Sequence, residues 1–214
     1  MSWPDGFFLA VIPRLDRGIF CEDLKMSYDQ IIIHSSSPTF CNIKPGNMFF
    51  VKNEVFSQSQ FEVWKETFYK YGLMACSARI SDSSTAILVL NVCWCRKILD
   101  DVFVQCYLGE KGYHTSSVFD FVNELFYRMI NNQGFPHEVG VILGYPVEDV
   151  IEFENHQGHD CKYCGCWKSY SDIDKAKECH CKFTECSRLC MQWYEEGFSI
   201  NQIITKYQSL QVVA

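Results

Sequence analysis

Two apolar runs, Leu73–Ser81 and Thr85–Trp94, face each other across Asp82-Ser83-Ser84, the pattern of a β-hairpin turning at small polar residues. Helical periods flank the pair on both sides. Upstream, Ser57-Gln58-Ser59-Gln60 has the form of a capping box; Phe61, Trp64, Phe68 and Tyr71 then share one face, stopped by Gly72. Downstream, Ile98, Leu99, Val102, Phe103 and Cys106 mark one helical face. A second helix starts at Ser117, carries Val118, Phe121, Val122, Leu125, Phe126 and Met129, and stops near Gly134. A hairpin enclosed by helices predicts the α+β class: a small, mainly antiparallel sheet covered by helices.

The remaining elements are shorter. Gln30–His34 reads as a buried strand, and Ser35-Ser36-Ser37-Pro38 as a loop into a helix with Ser37 as N-cap and Pro38 as first residue. Met48–Val51 reads as another strand. Beyond Pro136 come helical pieces over Pro136–Leu143 and Pro146–Asn155, the latter closed by Gly158. A helix over 172–196 ends at Gly197, and a last one starts at Ser199-Ile200-Asn201-Gln202, giving a helical C-terminal third. Residues 1–25 stand apart, because Pro4, Gly6, Pro13 and Gly18 break any period. They read either as a translated repetitive DNA element or as a flexible extension. Residues 26–214 then form one α+β domain whose part 159–214 is helical and rich in cysteine.

Charge and composition remove several function classes. A net charge of -7, with no Lys/Arg run longer than two, disfavours a nucleic-acid partner. Apolar residues at 48% supply material for a packed core and exclude wholesale disorder. The apolar run Phe7–Ile12 follows Asp5 with no basic segment, so no signal peptide is expected, and no run approaches the ~18 residues of a membrane span. The 13 cysteines are therefore expected as reduced thiols in a soluble, cytoplasmic protein rather than as a disulfide framework.

Seven cysteines fall within residues 161–190. Cys161-x-x-Cys164 has zinc-ligand spacing, but Cys179-His180-Cys181 is C-x-C where ribbons use C-x-x-C. A tetrahedral zinc set of Cys161, Cys164, Cys179 and Cys181 is one reading, a Cys161/Cys164 redox pair another, and structural or incidental thiols the preferred one. Cys186 and Cys190 form a helical stripe with Leu189, Trp193 and Tyr194, so they are expected in the core without metal.

No reaction-defining motif is present. His137-Glu138 lacks the second ligand of HExxH, because position 141 is Val. Cys41 with His34 is a conceivable nucleophile–base pair without an orienting partner. Ser35-Ser36-Ser37 with Lys44 fits an anion cradle, or ordinary capping by Ser37 beside a solvated lysine. A helix-turn-helix using the helix after Pro146 fails, since Glu148, Asp149, Glu152 and Glu154 would repel phosphate. His34, Lys44, His137 and Glu138 remain as polar groups at expected element ends, where binding chemistry concentrates. If they form a site, His34 and His137 should lie within ~10 Å around one pocket.

Phe135, Pro136, His137, Glu138, Gly140, Leu143, Gly144, Tyr145, Pro146, Glu148, Asp149 and Val150, then Cys164, Gly165, Trp167, Lys168, Tyr170, Cys186 and Gly197, follow a recognisable signature. Through them, from about Met26 to Thr205, the chain resembles an uncharacterised family of anaerobic Firmicutes, domain of unknown function 3793. The family's N-terminal signature, H-C-x-P-T-L-x-G-x-K, is met at His34, Pro38, Thr39 and Lys44. One extra residue separates His34 from Pro38, Ser35 replaces the usual cysteine, and Cys41 falls near a usually small position. Cys161, Cys166, Cys179, Cys181 and Cys190 have no counterpart in the pattern. The family has no activity attached; its members are encoded near flavodoxins and ferrous-iron uptake genes. The resemblance thus implies a non-catalytic accessory or binding protein of redox or iron physiology, with a flavodoxin as conceivable partner. Two alternatives stand beside it: a small-molecule enzyme using a His34/Lys44/His137/Glu138 pocket, and a zinc-stabilised interaction module.

Overall fold

In the computed structural model, which describes residues 26–131 and 135–213, the organising element is a strand buried along its length except at its two end residues. Helix α1 spans Tyr28–Phe40, strand β1 Gly46–Lys52, helix α2 Gln58–Tyr69, strand β2 Leu73–Arg79 and strand β3 Ser84–Asn91. The sheet order is β1-β3-β2, antiparallel throughout, with Met48 and Cys76 both opposite Leu88. Ala86 through Leu90 are all fully buried. Their unbroken apolar run reflects a strand covered on both faces, where alternation would place polar groups in a core.

The pleat sends alternate residues into two separate cores. Met48, Ala86, Leu88 and Leu90 join the core beneath α3 (Val92–Leu99), α4 (Val102–Glu110), α5 (Val118–Ile130), α6 (Val139–Ile142) and α7 (Val147–Asn155). Phe49, Val51, Leu73, Ala75, Ile87 and Val89 pack on the other side against α1, α2, α8 (Ile173–Glu195) and α9 (Ile200–Val213). A two-residue hairpin, β4 (Tyr163–Cys164) and β5 (Lys168–Ser169), precedes α8. This is the α+β arrangement expected, with a helical C-terminal region. Among the described residues no helix is long and apolar enough to cross a membrane.

Several expected boundaries hold. Ser57 caps α2 by accepting from Gln60 N, Ser117 caps α5, and Asp172 caps α8, which ends before Gly197 at φ +94°. The expected stop at Gly134 and the extension over residues 1–25 lie outside the described residues.

Three expectations are corrected. Gln30–His34 is not a strand, and Ser37 is not an N-cap: both belong to α1, which starts at a Ser27–Gln30 capping box and carries Pro38 in its last turn. The β-branched triplet Ile31–Ile33 favours strand locally, but burial against α8 and the cap upstream decide for helix. Pro38 is tolerated because the helix ends two residues later and its carbonyl accepts from Ile43 N and Lys44 N at 2.9 and 3.0 Å. The apolar face drawn over Ile98–Cys106 is split at Asp100-Asp101. Asp101 caps α4 by accepting from Phe103 N and Val104 N, which leaves Val102 and Phe103 74% and 51% exposed. Finally, the second hairpin strand stops at Asn91, whose side chain accepts from Trp94 N and opens α3.

Candidate ligand-binding cleft

One cleft is built almost wholly from the Phe135–Ser169 stretch, with Met48 of β1 as its floor. It holds ≈ 550 Å³ of open space, part of it continuous with solvent. The local sequence explains its shape. α6 is a single turn broken at Gly144, whose φ of +84° and approach to Pro45 leave no room for a side chain: an added Cβ would sit 2.5 Å from Pro45 Cγ. The chain reverses, Tyr145 N donates to Gly140 O at 2.9 Å, and Pro146 restarts the chain as α7. Gly140 lets the Tyr145 ring lie close, since a Cβ there would be 3.0 Å from it.

Asp149 fixes the opposite wall. Its carboxylate accepts from Trp167 Nε1 at 2.7 Å, Tyr170 N at 2.9 Å and Ser171 N at 2.8 Å, stapling the β4–β5 hairpin to α7. Burial alone would raise this carboxyl, but the hydrogen bonds outweigh it and hold it below the usual carboxylate range. With Trp167 so held, its ring stacks on Tyr145 at 5.3 Å and 24°.

His137 lies between Phe135 and Phe153, with ring centroids 6.0 and 4.9 Å away. Burial pushes its imidazole below the ordinary histidine value despite the pull of Glu154, so it stays neutral at pH 7. Its Nδ1 is buried without a hydrogen-bond partner. An unsatisfied buried nitrogen costs on the order of 1–3 kcal/mol. Lys168 closes the rim, its ammonium donating to Gly158 O at 2.7 Å and standing 5.6 Å from the Phe153 ring.

The other candidates lie elsewhere. Glu138 is 7% exposed and points to α4 and α5, where Tyr113 OH donates to it at 3.5 Å and Lys111 Nζ stands 4.0 Å away; burial raises its carboxyl. His34 and Lys44 line a second, smaller cleft of ≈ 310 Å³ with Asn47, Cys166, Phe183 and Ser187. The two clefts share no lining residue. His34 and His137 therefore do not share a pocket. Lys44, almost fully buried, has its ammonium 5.3 Å from the Tyr145 ring and 5.6 Å from the Phe183 ring, and is not the solvated lysine envisaged from sequence. Burial lowers the His34 imidazole. Cys41 is fully buried with its sulfur 3.6 Å from that of Cys190, and burial pushes its thiol up, which is the wrong direction for a nucleophile.

Cys164 and Cys181 are exposed and Cys161 and Cys179 half-buried. Cys166 stands 3.6 Å from His180 Nδ1. Cys161, Cys164, Cys179 and Cys181, offered as one reading of the spacing, are not among the converging ligand groups of the described residues. Cys186, Cys190 and Trp193 are buried as the helical stripe predicts.

A family model described as a protein of unknown function, DUF3793, matches residues 32–204. The chain belongs to the DUF3793 family. The match spans both clefts, from the α1 wall with His34 to the Trp167 hairpin and α8. No curated protein and no solved structure matches the chain. The aromatic walls were partly visible in sequence, since Tyr145 and Trp167 stand in the signature; Phe153, at the cleft's far side, carried no signal beyond helical spacing.

Proposed function

We propose that this chain is a non-catalytic binding protein that holds a small, flat, largely apolar molecule in the His137–Trp167 cleft. The observation that carries the reading is the partnerless Nδ1 of His137, buried at one side of a slot walled by aromatic rings. Apolar clefts with few convergent polar groups are the usual form of small-molecule sites. A planar ligand would slide beside the Trp167–Tyr145 stack and use one polar group on the imidazole. The separation of His34 and Lys44 from His137 weighs against an enzyme that needs all four groups together. A cytoplasmic setting is part of the proposal, because free thiols throughout the described residues suit a reducing compartment. The redox or iron setting, and a flavodoxin as partner, rest on the family resemblance alone.

The test is a thermal-shift and calorimetric screen of planar heteroaromatics, including flavin and pterin rings. At least one class should bind, W167L should abolish that binding, and H137F should weaken it about tenfold, the worth of one hydrogen bond. Binding unaffected by both substitutions, or no binding at all, refutes the reading.

A further inference from the structure

Among the described residues, one group of potential metal ligands converges, and it is not the cluster that spacing suggests. The sulfurs of Cys41, Cys186 and Cys190 all lie within 4.8 Å of one another, and all three residues are buried. Cys41 is the C-cap of α1; Cys186 and Cys190 are one turn apart on α8. Two helices that pack face to face thus bring three thiols to one point. We propose that Cys41, Cys186 and Cys190 form a three-thiolate site for a thiophilic d10 metal ion, zinc(II) or copper(I).

The geometry is already close to that of a loaded site. Metal–sulfur bonds of about 2.3 Å in a tetrahedral or trigonal array put neighbouring sulfurs about 3.8–4.0 Å apart. Cys41 and Cys190 stand at 3.6 Å, and no pair needs to close by more than a fraction of the 4.8 Å limit. Soft thiolates select zinc and copper(I) over hard cations. For copper(I) three sulfurs suffice, whereas zinc would take a fourth donor to complete its tetrahedron. Loading releases the thiol protons and leaves the sulfur electron pairs on the metal.

The C-terminal helix packs beside the cluster: Tyr207 of α9 joins the core that holds the three cysteines, and the Gln211 side chain donates to Cys41 O at 3.3 Å. A redox pair is the competing use of the same sulfurs, since Cys41 and Cys190 are near enough to bridge after a small shift.

The experiment uses the full chain, purified without chelator and kept reduced. Zinc is titrated against a chromophoric chelator and copper(I) against a cuprous chelator; cobalt(II) loading then reads thiolate number from the sulfur-to-metal charge-transfer band. One equivalent with a three-thiolate signature is expected. C41A and C190A should each lower affinity at least by the ~10–100-fold that loss of even an outer-shell partner costs, while the quadruple variant C161S/C164S/C179S/C181S keeps wild-type binding. C41A removes a single sulfur from a buried site, and circular dichroism matching the parent separates metal loss from misfolding. Metal that follows the quadruple variant and survives C41A overturns the site. So does a chain that binds neither ion, or that forms a Cys41–Cys190 disulfide in air and takes up no metal after re-reduction.

Discussion

At the scale of single residues, Asp149 does more than any other side chain to shape the cleft. It is 2% exposed, yet every hydrogen bond it accepts is long-range, from Trp167, Tyr170 and Ser171. D149N keeps the size but removes the charge, and one of its positions must then present an N–H to a donor. We expect a loss of about 2–4 kcal/mol in urea unfolding, from charge-assisted bonds worth ~1.5–3 kcal/mol and a donor left unpaired. The pH profile should change with it. The folded carboxyl is held below its unfolded value of 3.8, so its stabilisation is complete above that value and is lost as pH falls through the folded one. D149N should lack that acid limb. An unchanged acid limb would show that the carboxylate is not the clamp described.

Among the elements, α1 shows what was legible and what was not. Its Ile31-Ile32-Ile33 run has strand propensity, and Ser35-Ser36-Ser37-Pro38 has the look of a helix start, so local reading places the boundary some ten residues late. The deciding signal, Ser27-Tyr28-Asp29-Gln30, was in the sequence as a capping box, but tertiary burial of Ile32 and Ile33 was not. α2, α5 and α8 were legible because cap, apolar stripe and, for α2 and α8, terminal glycine agree at each. The cleft was legible only in its Phe135–Tyr145 and Trp167 pieces; the Asp149 clamp and the three-sulfur cluster arise from contacts more than fifteen residues apart. The same element yields a prediction. α1 is anchored from Ser27 onward: Ser57 N donates to the Tyr28 hydroxyl, and Asp29 accepts from Trp64 Nε1 at 3.0 Å and Gln60 Nε2 at 3.2 Å. A chain begun at Met26 should therefore unfold within about 0.5 kcal/mol of the full one, the range of changes that touch no core feature. Insolubility, or a loss of several kcal/mol from the ~5–15 kcal/mol typical of a domain, would move the domain boundary upstream.

For the whole molecule, the consequence of a three-stranded sheet buried on both sides is that neither core can exist alone. Ile87 and Val89 supply one face and Ala86, Leu88 and Leu90 the other, all from the same strand. Stripping the helices from one face would expose that face of the sheet to water while the backbone still had to be held in register. So small a sheet needs its packed helices to persist. Unfolding should then be one transition, reported equally by both halves. A variant W3F/W94F/W167F retains only Trp64 and Trp193, which sit in the α1–α2–α8–α9 core. Adding L88A removes a fully buried side chain from the opposite core and should cost about 2–5 kcal/mol. The fluorescence midpoint of Trp64 and Trp193 should fall as far as the far-ultraviolet circular dichroism midpoint does, although neither tryptophan belongs to the core that Leu88 fills. A fluorescence midpoint that stays in place while the helical signal drops would mean that the two faces of the sheet fold as separate units.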